Sequence, residues 1–303
     1  NGSFAFSSLR DFMRNRSSGA TLFYTDRIKT GMRQWLAGFY FQDDLRLNPN
    51  LSLNLGLRYE FVTNPNEVAG RLSSISLPSQ LESRIGNPLW VRNPSLKNFS
   101  PRLGFAWDPT GSGTTSIRGG FGLFHDQLLT WFYTSGRTAG RPIFVQATLE
   151  RQDGITFPTE LRGLTDDHPG VQRGGVSLIW EPEQPYIVQW NLSIQREILP
   201  GMALTATYSS SRGVNLIRNA SINRPAGILV DGRRFFDPNT PEGTERAFPA
   251  YGGLSGQLTD ANSWYNGLKL GLQKRFSSGF QYQISYHWQK FMDEASTHGG
   301  RGE

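Results

Sequence analysis

Cysteine is absent from the 303 residues, so neither a disulfide framework nor a thiolate metal site is available. No run of about 18 apolar residues occurs, which excludes a membrane-spanning helix. Charge is sparse: 18% of residues are charged, and neither sign gathers into a block. The net +6 is therefore scattered, which argues against a nucleic-acid partner. The opening "NGSFAFSSLRDFMRN" has no methionine followed by a basic-then-apolar leader. A chain whose leader was removed, or a piece of something longer, is the expectation. What is plentiful points to strands and turns, with 34 glycines and 13% aromatic residues.

The strongest pattern is a period of two. In "LSLNLGLRYEF" Leu51, Leu53, Leu55, Leu57, Tyr59 and Phe61 alternate with Ser52, Asn54, Gly56, Arg58 and Glu60. Such alternation puts the two sets on opposite faces of a strand. Seven further runs behave alike, and the predicted strands are about 34–47, 51–62, 99–108, 115–125, 185–198, 202–212, 262–276 and 279–291. They form four hairpins closed by short turns such as "NPN" at Asn48 to Asn50 and "LPG" at Leu199 to Gly201. Between hairpins the connections are long, roughly 62–98, 126–184 and 213–261.

Loops beyond about 15 residues are uncommon in compact soluble domains. Short turns on one side and long loops on the other characterise outer-membrane barrels. The strands are also long for a soluble sheet. Eleven residues from Leu51 to Phe61, at about 3.3 Å each and tilted by roughly 45°, rise about 25 Å, the height of a barrel's apolar band. Aromatics near the strand ends (Tyr59, Phe61, Phe99, Trp107, Tyr186, Tyr286, Trp288) suit interfacial girdles. The reading is all-β: part of an antiparallel up-and-down transmembrane β-barrel, one domain over 1–303, with 1–33 belonging to an outward loop. Leu53, Leu55, Phe105, Trp190, Leu270 and Ile284 are predicted to face lipid, and Asn54, Arg102, Asn191 and Gln283 the interior. A short helix capped by Ser7 or Ser8 is predicted at "SSLRDFMRN".

Four collinear blocks, "FYFQDDLRLNPNLSLNLGLRYEF", "NFSPRLGFAWDPTGSGTTSIRGGFGLFHD", "YIVQWNLSIQREILPGMALTATYSSSRGVNL" and "YNGLKLGLQKRFSSGFQYQISYHWQKFMD", resemble the barrel of TonB-dependent outer-membrane receptors. They look most like the Oar-like branch, which carries a carboxypeptidase-regulatory-like domain. The resemblance implies a barrel of about 22 strands, of which eight are seen here. It further implies a plug and an energy-coupling box upstream of Asn1, and further strands on both sides. The implied partners are outer-membrane lipid, the barrel's own plug, the TonB complex and a small ligand of siderophore or oligosaccharide type. A passive adhesion or structural barrel, binding through its loops, is the alternative.

No catalytic, cofactor or metal constellation stands out, and enzymatic activity is not expected. "DDHP" (Asp166, Asp167, His168) is a single loop cluster, short of the three or four converging ligands a metal needs. "DPNTPEGTE" (Asp237 to Glu245) lacks the spacing of a calcium loop. "GGFG" (Gly119 to Gly122) is not followed by the Lys-Ser/Thr of a phosphate loop, and it sits in a strand, where glycine permits close approach. The candidate ligand-binding residues are polar-face or loop positions: Arg58, Glu60, Arg102, Arg118, Trp131 and Tyr133. The charged ones either pair within a hydrated interior or attract an anionic ligand. The aromatic ones either stack on sugar rings or anchor their loop to the rim.

Overall fold

The computed structural model describes residues 2–23, 31–71, 73–75, 83–135, 146–150, 171–178, 181–223, 227–231, 233–235, 254–277 and 279–294. Eight long strands dominate: β1 (Leu36–Asn48), β2 (Leu51–Val62), β3 (Phe99–Trp107), β4 (Thr115–His125), β5 (Tyr186–Leu199), β6 (Met202–Ser221), β7 (Leu254–Ser277) and β8 (Phe280–Asp293). Each pairs antiparallel with its sequence neighbour. Among the described residues β1 and β8 pair on one side only, so the sheet is open at both edges.

Register explains how the alternation is used. Residues directly opposite in antiparallel strands share a face. One row runs Leu45, Leu53, Phe105, Gly119, Leu192, Tyr208, Leu268, Trp288 across all eight strands. The neighbouring row runs Arg46, Ser52, Ala106, Arg118, Ser193, Thr207, Lys269, His287. The first is apolar but for one glycine, and the second is polar or small. The ten residues assigned to a face from the sequence separate as expected, the six apolar ones on the face of the first row and the four polar ones on that of the second. The glycine is not a gap: the ring of Phe105 lies over Gly119, and a methyl group there would overlap it. An aromatic ring covering a strand glycine restores the contact that the missing side chain leaves open. Tyr265 covers Gly267 in the same way on the polar face.

Among the described residues no second layer covers the apolar row. Leu103 is 51% exposed, Leu192 43% and Leu270 39%, on strands that are paired on both sides. A contiguous apolar face of this size is incompatible with water and suited to hydrocarbon. The sealed apolar cluster is small and lies in the connections: Leu89, Trp90, Leu128, Phe132 and Tyr133, with Met32 and Ile217 packed against it.

The connections hold more regular structure than the sequence suggests. β6 continues past 212 to Ser221, and β7 begins at Leu254 rather than near 262. A bulge between Gly213 and Ile217, with Asn215 in the left-handed region (φ 55°), shifts the register there. The two shifts cancel, so pairing resumes at Ile217 and Thr259 in the register that Gly213 and Ser263 leave, and the strand continues although its period of two is interrupted. Arg218 grips Asp260 through two hydrogen bonds of 2.6 and 2.8 Å, holding the two arms together. Four short strands, Gly2–Ala5, Gly19–Phe23, Gln146–Glu150 and Val171–Leu178, extend the sheet from β7, the last of them running parallel to Leu254 through Gln257. The predicted helix is present as Leu9–Met13, with the Ser8 hydroxyl accepting from the Asp11 backbone N–H at 3.1 Å.

One residue departs from the pattern. Asp43 stands opposite Leu55, on the apolar face, and no hydrogen bond or ion pair reaches it among the described residues. Two substitutions test the face assignment by reversible unfolding of the barrel from lipid vesicles. Leu55→Arg, near the middle of the apolar band, is expected to cost about 2–4 kcal/mol. Asp43→Leu is expected to raise stability.

Candidate ligand-facing wall and its loop cap

The polar face concentrates its charge where β2, β3 and β4 meet the long connections. Arg58 and Glu60, two residues apart and therefore on the same side of β2, form an ion pair at 2.6 Å. Ser100, buried opposite Arg58, bonds His125 Nδ1 through its hydroxyl at 3.0 Å. The Arg102 guanidinium lies over the Phe124 ring, 4.9 Å from its centre. Arg58, Glu60 and Arg102 thus come together with His125 and Ser100, two residues not among the candidates read from the sequence. Arg118 does not join them. It lies further down the wall, opposite Ala106 and Ser193, with no partner among the described residues.

The two aromatic candidates sit in the helix Thr130–Ser135. The side chain of Trp131 lies outside the described set. Tyr133 is only 1% exposed; its hydroxyl donates to Gln34 Oε1 at 3.1 Å and bonds the Thr130 hydroxyl at 3.2 Å, and its ring packs edge-on against Trp90. Of its two readings, the structure gives Tyr133 the loop anchor's place: its ring faces are covered, so it offers no platform for a sugar. The clusters at Asp166–His168 and Asp237–Glu245 lie outside the described residues. Among the described residues no three His, Asp or Glu side chains converge as metal ligands.

The cap over this wall is held by polar contacts that give no periodic signal. Glu67 is fully buried, and its carboxylate accepts from the backbone N–H groups of Arg71 (2.8 Å), Ala69 (2.8 Å) and Gly31 (3.1 Å), with the Arg71 guanidinium at 3.3 Å. These bonds, the Arg71 N–H foremost, outweigh burial and hold the carboxyl down at about 2. Asn87 closes the same corner, donating to the Glu67 carbonyl at 2.7 Å and accepting from its N–H at 2.9 Å. Ser95 bonds both N–H and C=O of Val62 at 2.9 Å, fixing the connection to the end of β2. Gln184 reaches the carbonyls of Asp126 and Pro185, and the Glu183 N–H donates to Thr259 Oγ1 at 2.7 Å, tying two more connections to β7. Burial pushes the Asp126 carboxyl up. The described residues of 63–98, with 126–133, are thereby one folded cap.

The chain matches the family described as "Outer membrane beta barrel domain" over residues 1–303. No curated protein sequence matches it. Similar solved structures include the FrpB iron transporter from Neisseria meningitidis (F3-3 variant), 11% identical over 89% of this chain and 28% of that chain, with a TM-score of 0.43. The outer membrane transporter YddB from Escherichia coli is 11% identical over 91% of this chain and 34% of its own, TM-score 0.43. The copper transporter OprC is 12% identical over 90% and 30%, TM-score 0.41. The chain therefore spans about a third or less of these proteins.

The Glu67 clamp makes a checkable case. Its carboxyl lies below the ordinary 4.5, so its contribution is complete above that pH and is lost as pH falls towards about 2. Hydrogen exchange at the Gly31, Ala69 and Arg71 amides is expected to lose protection across that window. Glu67→Gln, which presents an N–H₂ to N–H donors, is expected to make local opening easier by about 1–3 kcal/mol at neutral pH.

Proposed function

From membership of the outer membrane β-barrel domain family, to which this chain belongs over residues 1–303, we propose that it is wall and cap of an outer-membrane receptor that imports a scarce ligand. Its location is the outer membrane. The proposed parent protein is a TonB-dependent receptor of the Oar-like branch, with its plug, coupling box and regulatory-like domain outside this chain. The proposed ligand is of the siderophore or oligosaccharide class. Residues 1–303 form part of one barrel domain in this reading, and 1–33 part of an outward loop.

The observation that carries the proposal is the two-faced wall, which fences a hydrated interior from lipid and gathers Arg58, Glu60, Arg102 and His125 beneath a folded cap. Unpaired strand edges are not tolerated in hydrocarbon, so the proposal also requires further strands beyond β1 and β8. Arg118, which has no partner among the described residues, is the proposed second contact for an anionic ligand.

Uptake of radiolabelled ferric hydroxamate and of labelled oligosaccharides by cells expressing the parent protein tests this reading. An importer loses uptake when the energy-coupling complex is deleted; unchanged uptake or surface binding without uptake favours the passive adhesion barrel. Arg58→Gln with Arg102→Gln is expected to weaken binding of an anionic ligand by about tenfold, equivalent to ~1.4 kcal/mol, and to leave a neutral sugar unaffected. Isothermal titration of the purified protein measures both.

A further inference from the structure

Cations interrupt the apolar face near one end of β6 to β8. Arg212 stands opposite Val188 and Trp264, and Lys290 opposite Asn266, which places both on the face that carries Leu192, Tyr208 and Trp288. Both are exposed, and neither has a hydrogen-bond or ion-pair partner among the described residues. Between them, the Tyr208 hydroxyl donates to Asn266 Oδ1 at 2.7 Å, and the Ser210 hydroxyl lies between the Tyr265 carbonyl (2.8 Å) and the same Asn266 oxygen (2.9 Å). With Oδ1 turned to Tyr208, the Asn266 amide N–H₂ has no partner among the described residues and is a third donor. Trp264 and Trp288 flank the three donors on neighbouring strand positions.

The depth of this patch follows from counting. Arg212 and Lys290 are each the eleventh residue from the short turn of their hairpin, since β6 begins at Met202 and β8 at Phe280. Ten steps at about 3.3 Å, tilted by roughly 45°, lift them about 23 Å, to the far edge of an apolar band about 25 Å tall. Short turns face the periplasm in such barrels, so that edge is the outer leaflet. Two strands and one register step separate the cations, roughly 12 Å between Cα atoms. Cations at the opposite edge differ. Lys274 is engaged, its Nζ bonded to Ser277 Oγ at 2.9 Å and the Ser277 carbonyl at 3.2 Å, and Arg196 stands opposite Thr115 and Leu204, without a tryptophan.

We infer that Arg212, Asn266 and Lys290 form a binding patch on the outer wall for a phosphorylated glycolipid of the outer leaflet. Long cationic side chains extend from the apolar edge into the headgroup layer, where phosphate oxygens accept charge-assisted hydrogen bonds. Trp264 and Trp288 supply the amphipathic flank against which a sugar ring packs. The patch depends on the outer-membrane location and not on the import reading, so failure of either leaves the other standing.

The test uses the outer-membrane protein that carries this chain, purified in detergent and titrated with bisphosphorylated lipid A, dephosphorylated lipid A and phosphatidylglycerol. Native mass spectrometry reads the bound lipid. The unchanged protein is expected to prefer bisphosphorylated lipid A, R212Q/K290Q to bind it at least about tenfold more weakly, and R196Q to bind as the unchanged protein does. Equal binding by R212Q/K290Q and the unchanged protein overturns the inference, as does phosphatidylglycerol binding as tightly as lipid A. If R212Q/K290Q does not reach the heat-resistant folded form, two arms remain decisive. The charge-conserving R212K/K290R must retain binding, and the unchanged protein must discriminate against the dephosphorylated lipid; failure of either overturns it.

Discussion

Inside a hydrocarbon layer every backbone N–H and C=O must find its partner within the protein, because no water is there to substitute. For a chain without a helix long and apolar enough to cross, among its described residues, paired strands are the remaining solution. Everything else in this molecule follows from that constraint. The strands must be long, their neighbours must be sequential, and each must carry lipid-compatible side chains at every second position only. The row of apolar residues from Leu45 to Trp288 and the polar row from Arg46 to His287 are its two consequences. The usual arrangement of a folded domain is thereby inverted: large apolar side chains are exposed across the wall, and the compact core of Trp90, Phe132 and Tyr133 lies in the cap.

The same constraint decides what the sequence reveals. Between Leu51 and Val62 periodicity, strand limits and facing all coincide, because from Ser52 to Val62 the pairing to β1 runs without a shift. Past Gly213 an irregularity interrupts the alternation while the paired ladder continues, so β6 reads as ending early. Val171–Leu178 pairs with the start of β7 in parallel across a long sequence separation, a contact that leaves no local pattern. Asp43 escapes the pattern for a related reason: alternation is judged over a run, and one carboxylate does not disturb it.

The candidate site was legible only in part. Arg58, Glu60 and Arg102 share a face by counting alone, and the structure gathers them with His125. Their pairing geometry needed coordinates. The cap was not legible, since Glu67 acts through backbone donors at Gly31, Ala69 and Arg71, and any residue but proline supplies a backbone N–H. Tyr133 and an exposed loop aromatic look identical in sequence; partners remote in the chain, Gln34 and Trp90, make the difference.

These 303 residues contain no cysteine, so with any cysteine elsewhere in the parent protein replaced, the central claim is directly measurable. Single cysteines placed at Leu268, Lys269, Leu270 and Gly271 of the parent protein, labelled with a fluorophore and reconstituted in vesicles, report which solvent each position meets. Labels at 268 and 270 should be quenched by lipids with brominated chains, and those at 269 and 271 by a water-soluble quencher. Equal aqueous quenching at all four, or protection of 268 and 270 from both agents beneath another protein layer, would contradict a wall wetted by lipid on one face and water on the other.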